Sequence, residues 1–212
     1  MQMLSTEQRQ FFATVTAQYK SHLGQAVAYL EGRGIDRVTA ERADLGVVAD
    51  PPPEHKYMAG RLAIPYMTDN GPVNMTFRCM QDHDCKLIPN HSKYMQSKGL
   101  ESNLYGVTSY RRAGDFLCLS EGELDTIVLK MSGLPAVGVS GATKWKSHWS
   151  SILQDFSRIY VFSDGDAAGR DFANLVMSNC ETAIDVPMPA GEDVNSIYLR
   201  LGKQYLLDRI EE

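Results

Sequence analysis

The stretch VFSDGD, residues 161–166, ends an apolar run with two carboxylates, Asp164 and Asp166, separated by a single glycine. In an extended chain, residues i and i+2 project to the same side, so Asp164 and Asp166 can share a site, and Gly165 adds no bulk between them. Two like charges held that close raise each other's pKa unless a cation sits among them. Carboxylate oxygens are hard ligands suited to Mg²⁺ or Mn²⁺, ions that keep several waters and accept substrate phosphates as further ligands. Taken alone, Asp-Gly-Asp reads more simply as a polar turn capping a helix that begins at Ala167. Two other acidic segments shift the balance toward a site: Glu121 in LSEGELD, and Glu192 with Asp193 in PAGEDVN.

The elements around these acids decide whether they meet. DFLCLS (115–120), PAVGVS (135–140), RIYVFS (158–163) and TAIDVPMP (182–189) read as short buried strands. Between them GELDTIVLKMSG, KWKSHWSSILQDF and AAGRDFANLVMSNC read as helices, and a last helical stretch runs from about Ser196 to Ile210. Strict alternation of this kind predicts an α/β domain, a parallel sheet flanked by helices with right-handed crossovers. Ligands of such sheets bind outside the carboxyl ends of the strands. Glu121, the Asp164–Asp166 pair and the Glu192–Asp193 pair each follow a strand, so three strand ends deliver carboxylates to one edge.

Bulk properties bound the partners. The chain has 212 residues, 43% hydrophobic and 22% charged, a composition ordinary for a globular protein of one or two domains. No apolar run approaches a membrane span and the N-terminus lacks a secretory pattern, which predicts a cytoplasmic protein with no membrane partner. Four scattered cysteines agree with a reducing compartment. The net charge of −5 is unevenly spread: residues 56–112 carry 8 Lys/Arg against 4 Asp/Glu, whereas residues 113–212 carry 8 against 15. A basic part can hold phosphates while divalent cations neutralise an acidic one.

EGELD, SDGDAAGRDFA and PAGEDVNSIYLRLG, in this order and at these separations, resemble the three signature segments of a TOPRIM domain, in the form found in DnaG-type DNA primases. Upstream, YLEGRGI (29–35), GRLAIPYMTDNGPVNMTFRC (60–79) and KYMQSKGLESNLYG (93–106) resemble the segments of the primase's basic, template-facing subdomain. The resemblance covers roughly residues 26–210. It implies a smaller mixed α+β basic subdomain over residues 1–112, preceding a TOPRIM catalytic domain over residues 113–212. It implies that Glu121 is the catalytic acid, that Asp125 one helical turn later belongs with it, and that Asp164, Asp166 and Asp193 hold divalent metal. Primases usually carry Asp-Pro-Asp where this chain has Asp193-Val194-Asn195, so Asn195 offers an amide oxygen without charge.

The implied activity is synthesis of short RNA primers on single-stranded DNA from ribonucleoside triphosphates, a metal-dependent nucleotidyl transfer that needs no protein nucleophile. Arg61 and Arg78, at the outer ends of two strands joined through the hairpin signal Asn70-Gly71, are expected to touch phosphate. Lys93 and Lys98 are expected to meet a triphosphate or the template backbone. Tyr94 and Tyr105 are either base-stacking platforms or core. A zinc-binding domain and a helicase-docking domain, present in full-length DnaG, find no counterpart, so the expectation is a compact phage-type core. Helicase coupling then falls to a separate zinc-binding or helicase protein, or to an N-terminal helix at about Thr6 to Lys20 with an apolar stripe of Phe11, Phe12 and Val15.

One segment stands outside this pattern. CMQDHDCKLIPNH sets Cys79, His83, Cys85 and His91 within thirteen residues, either a Zn²⁺ site that ties down a loop or two separate thiols and two surface imidazoles. Two rival functions use the same acids differently. A TOPRIM nuclease activates water in place of a 3′-hydroxyl, and a noncatalytic nucleic-acid-binding accessory module keeps the fold alone.

Overall fold

The computed structural model describes residues 4–97, 99–140 and 144–211. In chain order the elements are α1 (Thr6–Lys20), α2 (Val27–Glu31), α3 (Arg37–Arg42), β1 (Gly46–Val47), β2 (Leu62–Thr68), β3 (Gly71–Arg78) and β4 (Tyr94–Gln96). They are followed by β5 (Phe116–Ser120), α4 (Glu123–Met131), β6 (Ala136–Gly138), α5 (Ser147–Leu153), β7 (Arg158–Ser163), α6 (Ala167–Asn179), β8 (Ala183–Pro187) and α7 (Val194–Glu211). The chain divides into two compact units, residues 1–103 and 104–212. Residues 104–112, grouped with the first part by sequence, pack within the second. The Tyr105 N–H donates to the Gly138 carbonyl at 2.8 Å, the Tyr105 carbonyl accepts from the Gly138 N–H at 3.0 Å, and Leu104 joins the second core.

In the first unit the strands form an antiparallel sheet of order β1-β2-β3-β4. β2 and β3 turn at Asn70-Gly71, where Gly71 takes φ 95° and the Thr68 hydroxyl donates to the Gly71 carbonyl at 2.8 Å. Glycine adopts that left-handed backbone without the clash a Cβ would bring. α1 opens with a capping box, in which Ser5 Oγ accepts from the Gln8 N–H and the Gln8 side chain accepts from the Ser5 N–H. Its apolar stripe buries Phe12, Val15 and Tyr19 against Met75 and Phe77. Burying each such side chain is worth roughly 1.5–3 kcal/mol. The expected stripe of α1 thus packs in the unit's own core, with Phe11 half-buried at its margin.

The second unit is a fully parallel sheet of order β6-β5-β7-β8. Leu117, Leu119, Ile159 and Val161 meet Phe172, Ala173 and Val176 of α6 and Trp149 and Leu153 of α5 in one core. The alternate residues Cys118 and Phe162 are fully buried as well. The inner strands β5 and β7 are covered on both faces and so read as continuous apolar runs, whereas the edge strand β8, expected to be buried, leaves Ile184 and Pro187 exposed. The single C-terminal helix expected from sequence is broken at Gly202 (φ 74°, ψ 179°).

Candidate active site and metal cluster

The acids take their places from the sheet. β5, β7 and β8 are adjacent and parallel, so their carboxyl ends lie along one edge. Glu121 follows β5, Asp164 follows β7, and Asp193 lies beyond β8 at the start of α7. Asp125 sits in the first turn of α4. Asp166 is the N-cap of α6, with one carboxylate oxygen accepting from the Gly169 N–H at 2.9 Å. Asp193 caps α7 in the same way, accepting from the Ser196 N–H at 2.7 Å. The capping reading of Asp-Gly-Asp is therefore correct for Asp166, and it coexists with a shared site.

Asp164 reports the convergence. Burial pushes its carboxyl up to about 7, and the charges of Asp125, Glu121, Asp193 and Asp166 each add to the rise. Four carboxylates from three segments of the chain thus act on one half-buried acid. Crowded hard oxygen donors are the donor set that Mg²⁺ or Mn²⁺ requires, so these residues fit such an ion.

Close backbone approach keeps the acids together. A Cβ on Gly165 would stand 1.9 Å from the Pro189 carbonyl oxygen, and one on Gly169 would stand 2.1 Å from the Asp164 carbonyl oxygen. Gly165 also exchanges backbone bonds with the last loop, donating to the Glu192 carbonyl at 2.8 Å and accepting from the Gly191 N–H at 2.9 Å. The Asn195 N–H reaches Asp125 Oδ1 at 3.3 Å, linking α7 to α4, and Asn195 itself is buried. Glu192 pairs with Arg200 at 3.2 Å and is not among the charges acting on Asp164.

Sequence reasoning passed over several polar residues here. Glu123 is only 2% exposed, and its charge supports that of Lys144, whose ammonium is otherwise held down by burial. The signal was the second Glu of the Glu-Gly-Glu run, which enters the helix while Glu121 does not. Asp185 accepts from Ser163 Oγ at 2.6 Å, and Ser120 and Thr126 share a hydroxyl bond at 2.8 Å, so the ends of β7 and β5 are both pinned.

In the first unit the predicted phosphate contacts are distributed differently. Arg61 and Arg78 are buried, 6% and 4% exposed. Arg61 donates to the Ser92 carbonyl at 2.8 Å, and Arg78 donates to the Tyr29 hydroxyl while its guanidinium lies 4.8 Å over the Tyr94 ring. Lys93 is exposed and lines a cavity of about 570 Å³ with Tyr29, Arg33, Arg78 and Lys86. Lys98 lies outside the described residues. Tyr105 is core of the second unit, whereas Tyr94 is half-buried.

Cys79, His83, Cys85 and His91 come together beside that cavity, each offering one ligand atom, with all four atoms within 4.8 Å of one another. All four cysteines of the chain are free thiols, and Cys118 and Cys180 are buried within the second unit. Burial, with the nearby charges of Arg61 and His83, holds the His91 imidazole below its usual value.

No family model matches the chain. It is 36% identical over 151 residues to the Gene 57 protein of Mycobacterium phage D29, an alignment spanning 71% of this chain and 98% of the phage protein. Among solved structures it is similar to the RNA polymerase domain of Mycobacterium tuberculosis primase DnaG, with a TM-score of 0.80 and 19% identity over 99% of this chain and 84% of that one. A DNA primase domain from Pseudomonas aeruginosa matches with a TM-score of 0.76 and 22% identity, over 97% and 78% of the two chains. A DnaG primase catalytic domain bound to single-stranded DNA matches with a TM-score of 0.75 and 21% identity, over 98% and 80%. No helix among the described residues is long and apolar enough to cross a membrane.

Proposed function

The chain belongs to the family of the phage D29 Gene 57 protein and is built on the fold of DnaG primase catalytic cores; from that premise we propose that it is a DNA primase. It joins ribonucleotides into short RNA primers on a single-stranded DNA template, in the cytoplasm of a bacterial cell. The observation that carries this reading is the crowding of Glu121, Asp125, Asp166 and Asp193 around the half-buried Asp164 at the carboxyl ends of parallel strands.

Glu121, Asp164, Asp166 and Asp193 would hold Mg²⁺ or Mn²⁺, with Asn195 contributing at most an uncharged oxygen. When bound, the ion lowers the pKa of an attacking 3′-hydroxyl and offsets charge on the leaving pyrophosphate. The protein supplies the rest. Asp164 is already half withdrawn from water, so its carboxylate responds strongly to a nearby positive charge. The Asn195 N–H orients Asp125, and the backbone bonds of Gly165 keep the loop after β8 against the end of β7. Lys93, with Arg33, Arg78 and Lys86 outnumbering Asp82 and Asp84 on the same cavity, fits template or triphosphate phosphates, and the Tyr94 ring packs against the Arg78 guanidinium.

Incubating the protein with single-stranded DNA, labelled ribonucleotides and Mg²⁺ tests the reading. Extended labelled products are the expected result. Shortened template with no product would mark a nuclease, and neither outcome, with DNA binding retained, would mark an accessory module.

A further inference from the structure

We propose that Cys79, His83, Cys85 and His91 form a closed, tetrahedral Zn²⁺ site that fixes the loop between β3 and β4 and thereby presents Lys93. The loop is residues 79–93, a long connection whose one regular element is the short turn Cys85–Leu87. Loops of that length inside a compact unit ordinarily need something to hold them. All four candidate ligands fall within it.

Two of the ligand-to-ligand distances match the edges of a tetrahedron, and the rest lie close enough to reach it with small side-chain shifts. With Zn–N of about 2.0–2.1 Å and Zn–S of about 2.3 Å, the edges are about 3.3 Å between two nitrogens and about 3.6 Å between nitrogen and sulfur. His83 Nε2 lies 3.1 Å from His91 Nε2, and Cys79 Sγ lies 3.6 Å from His83 Nε2. Cys85 completes the group, with every ligand atom within 4.8 Å of the others. Two imidazole nitrogens aimed at one point beside two thiols form a soft to borderline donor set without a carboxylate. That set selects Zn²⁺ over the hard ions proposed for the second unit. Four protein ligands leave no open position, which is the mark of a structural rather than a catalytic zinc.

The consequence for Lys93 follows from the backbone. The Cys79 N–H donates to the Lys93 carbonyl at 2.9 Å, and Arg61 donates to the carbonyls of Ser92 at 2.8 Å and Lys93 at 3.4 Å. Cys79 at the loop's entry and His91 near its exit would share one ion, so the metal closes the base from which Lys93 projects. This consequence rests on the primase reading, because it assigns Lys93 to phosphate; the zinc itself does not.

Elemental analysis of the full chain, purified without chelator or added metal, should give about one zinc per chain. Cys85→Ser should lower that content at least about tenfold. Because the variant can fail to fold, the decisive measurement uses the native chain stripped of metal and titrated with Co²⁺. The expected result is the intense visible absorption of tetrahedral cobalt with a thiolate charge-transfer band, both removed by one equivalent of Zn²⁺. A weak octahedral spectrum, or purified protein carrying iron or less than about a tenth of a zinc per chain, overturns the site. Removing zinc should also weaken single-stranded DNA binding by about tenfold, and an unchanged affinity overturns the role assigned to the loop. Metal content is read independently of primer synthesis, so a zinc-loaded protein that makes no primer contradicts the primase reading and leaves the zinc site standing.

Discussion

The two units solve the problem of gathering ligands in opposite ways. In residues 104–212 a parallel sheet does the work: β5, β7 and β8 run the same way, so their ends bring acids far apart in sequence to one edge. In residues 1–103 the Cys/His group comes from one loop, and its ligands are neighbours in sequence, with only Cys85 in a regular element, the short turn Cys85–Leu87. Carboxylates set by topology can remain apart until a cation and its substrate phosphates arrive. Thiols and imidazoles on one loop start close together in sequence, and an ion that links them ties the loop to itself.

The sharpest way to break this contrast is Asp164→Asn. Removing the one carboxylate on which four others act should cut primer synthesis on the order of 10³-fold. Without divalent cations the same change should leave the melting temperature unchanged or higher, because it relieves a buried, repelled charge. A loss of activity caused by misfolding would appear as a lowered melting temperature. Next in size is Gly169→Ala, which drives a methyl group into the Asp164 carbonyl. It should destabilise the second unit by about 1–3 kcal/mol, seen in urea unfolding, and reduce activity by displacing Asp164.

Lys93→Ala probes the other side of the comparison. It should weaken single-stranded DNA binding uniformly across sequences and lower the slope of log affinity against log salt by about 1, with the zinc content unchanged. The smallest effect concerns His55, buried in the first unit between Phe11 and Phe77 and hydrogen-bonded through Nδ1 to the Tyr19 hydroxyl at 2.9 Å. Burial holds this imidazole below its usual value, weakly opposed by Glu54. The unfolded chain therefore takes up the proton first as pH falls. The contribution is fully present above about pH 6.5 and is lost as pH drops through that value. Urea midpoints of the first unit at neutral and mildly acidic pH should show the decline, and His55→Gln should flatten it.

Much of this was legible in residue order. The alternation of apolar runs and amphipathic stretches placed all four parallel strands, and Asn70-Gly71 placed the hairpin. The acids after three strands marked the edge where Asp164 is crowded. The edge strands β1 and β4, of two and three residues, were not legible, because their existence depends on pairing with β2 and β3 rather than on any pattern of their own. Nor was the burial of Arg61 and Arg78. An arginine at a strand end looks like a phosphate contact until its donors are seen to serve loop carbonyls and a tyrosine hydroxyl. The break at Gly202 was hidden for a related reason, since a glycine in a helical pattern ends the helix only when its backbone turns left-handed.

The central claim is that carboxylates from the ends of β5 and β7 and from the start of α7 grip one hard cation. Anomalous diffraction from a crystal soaked in Mn²⁺ tests it most directly. The account predicts a manganese peak within coordinating distance of Asp164 and at least one of Glu121, Asp166 and Asp193; manganese bound elsewhere, with Glu121 turned away and no peak at Asp164, would contradict it.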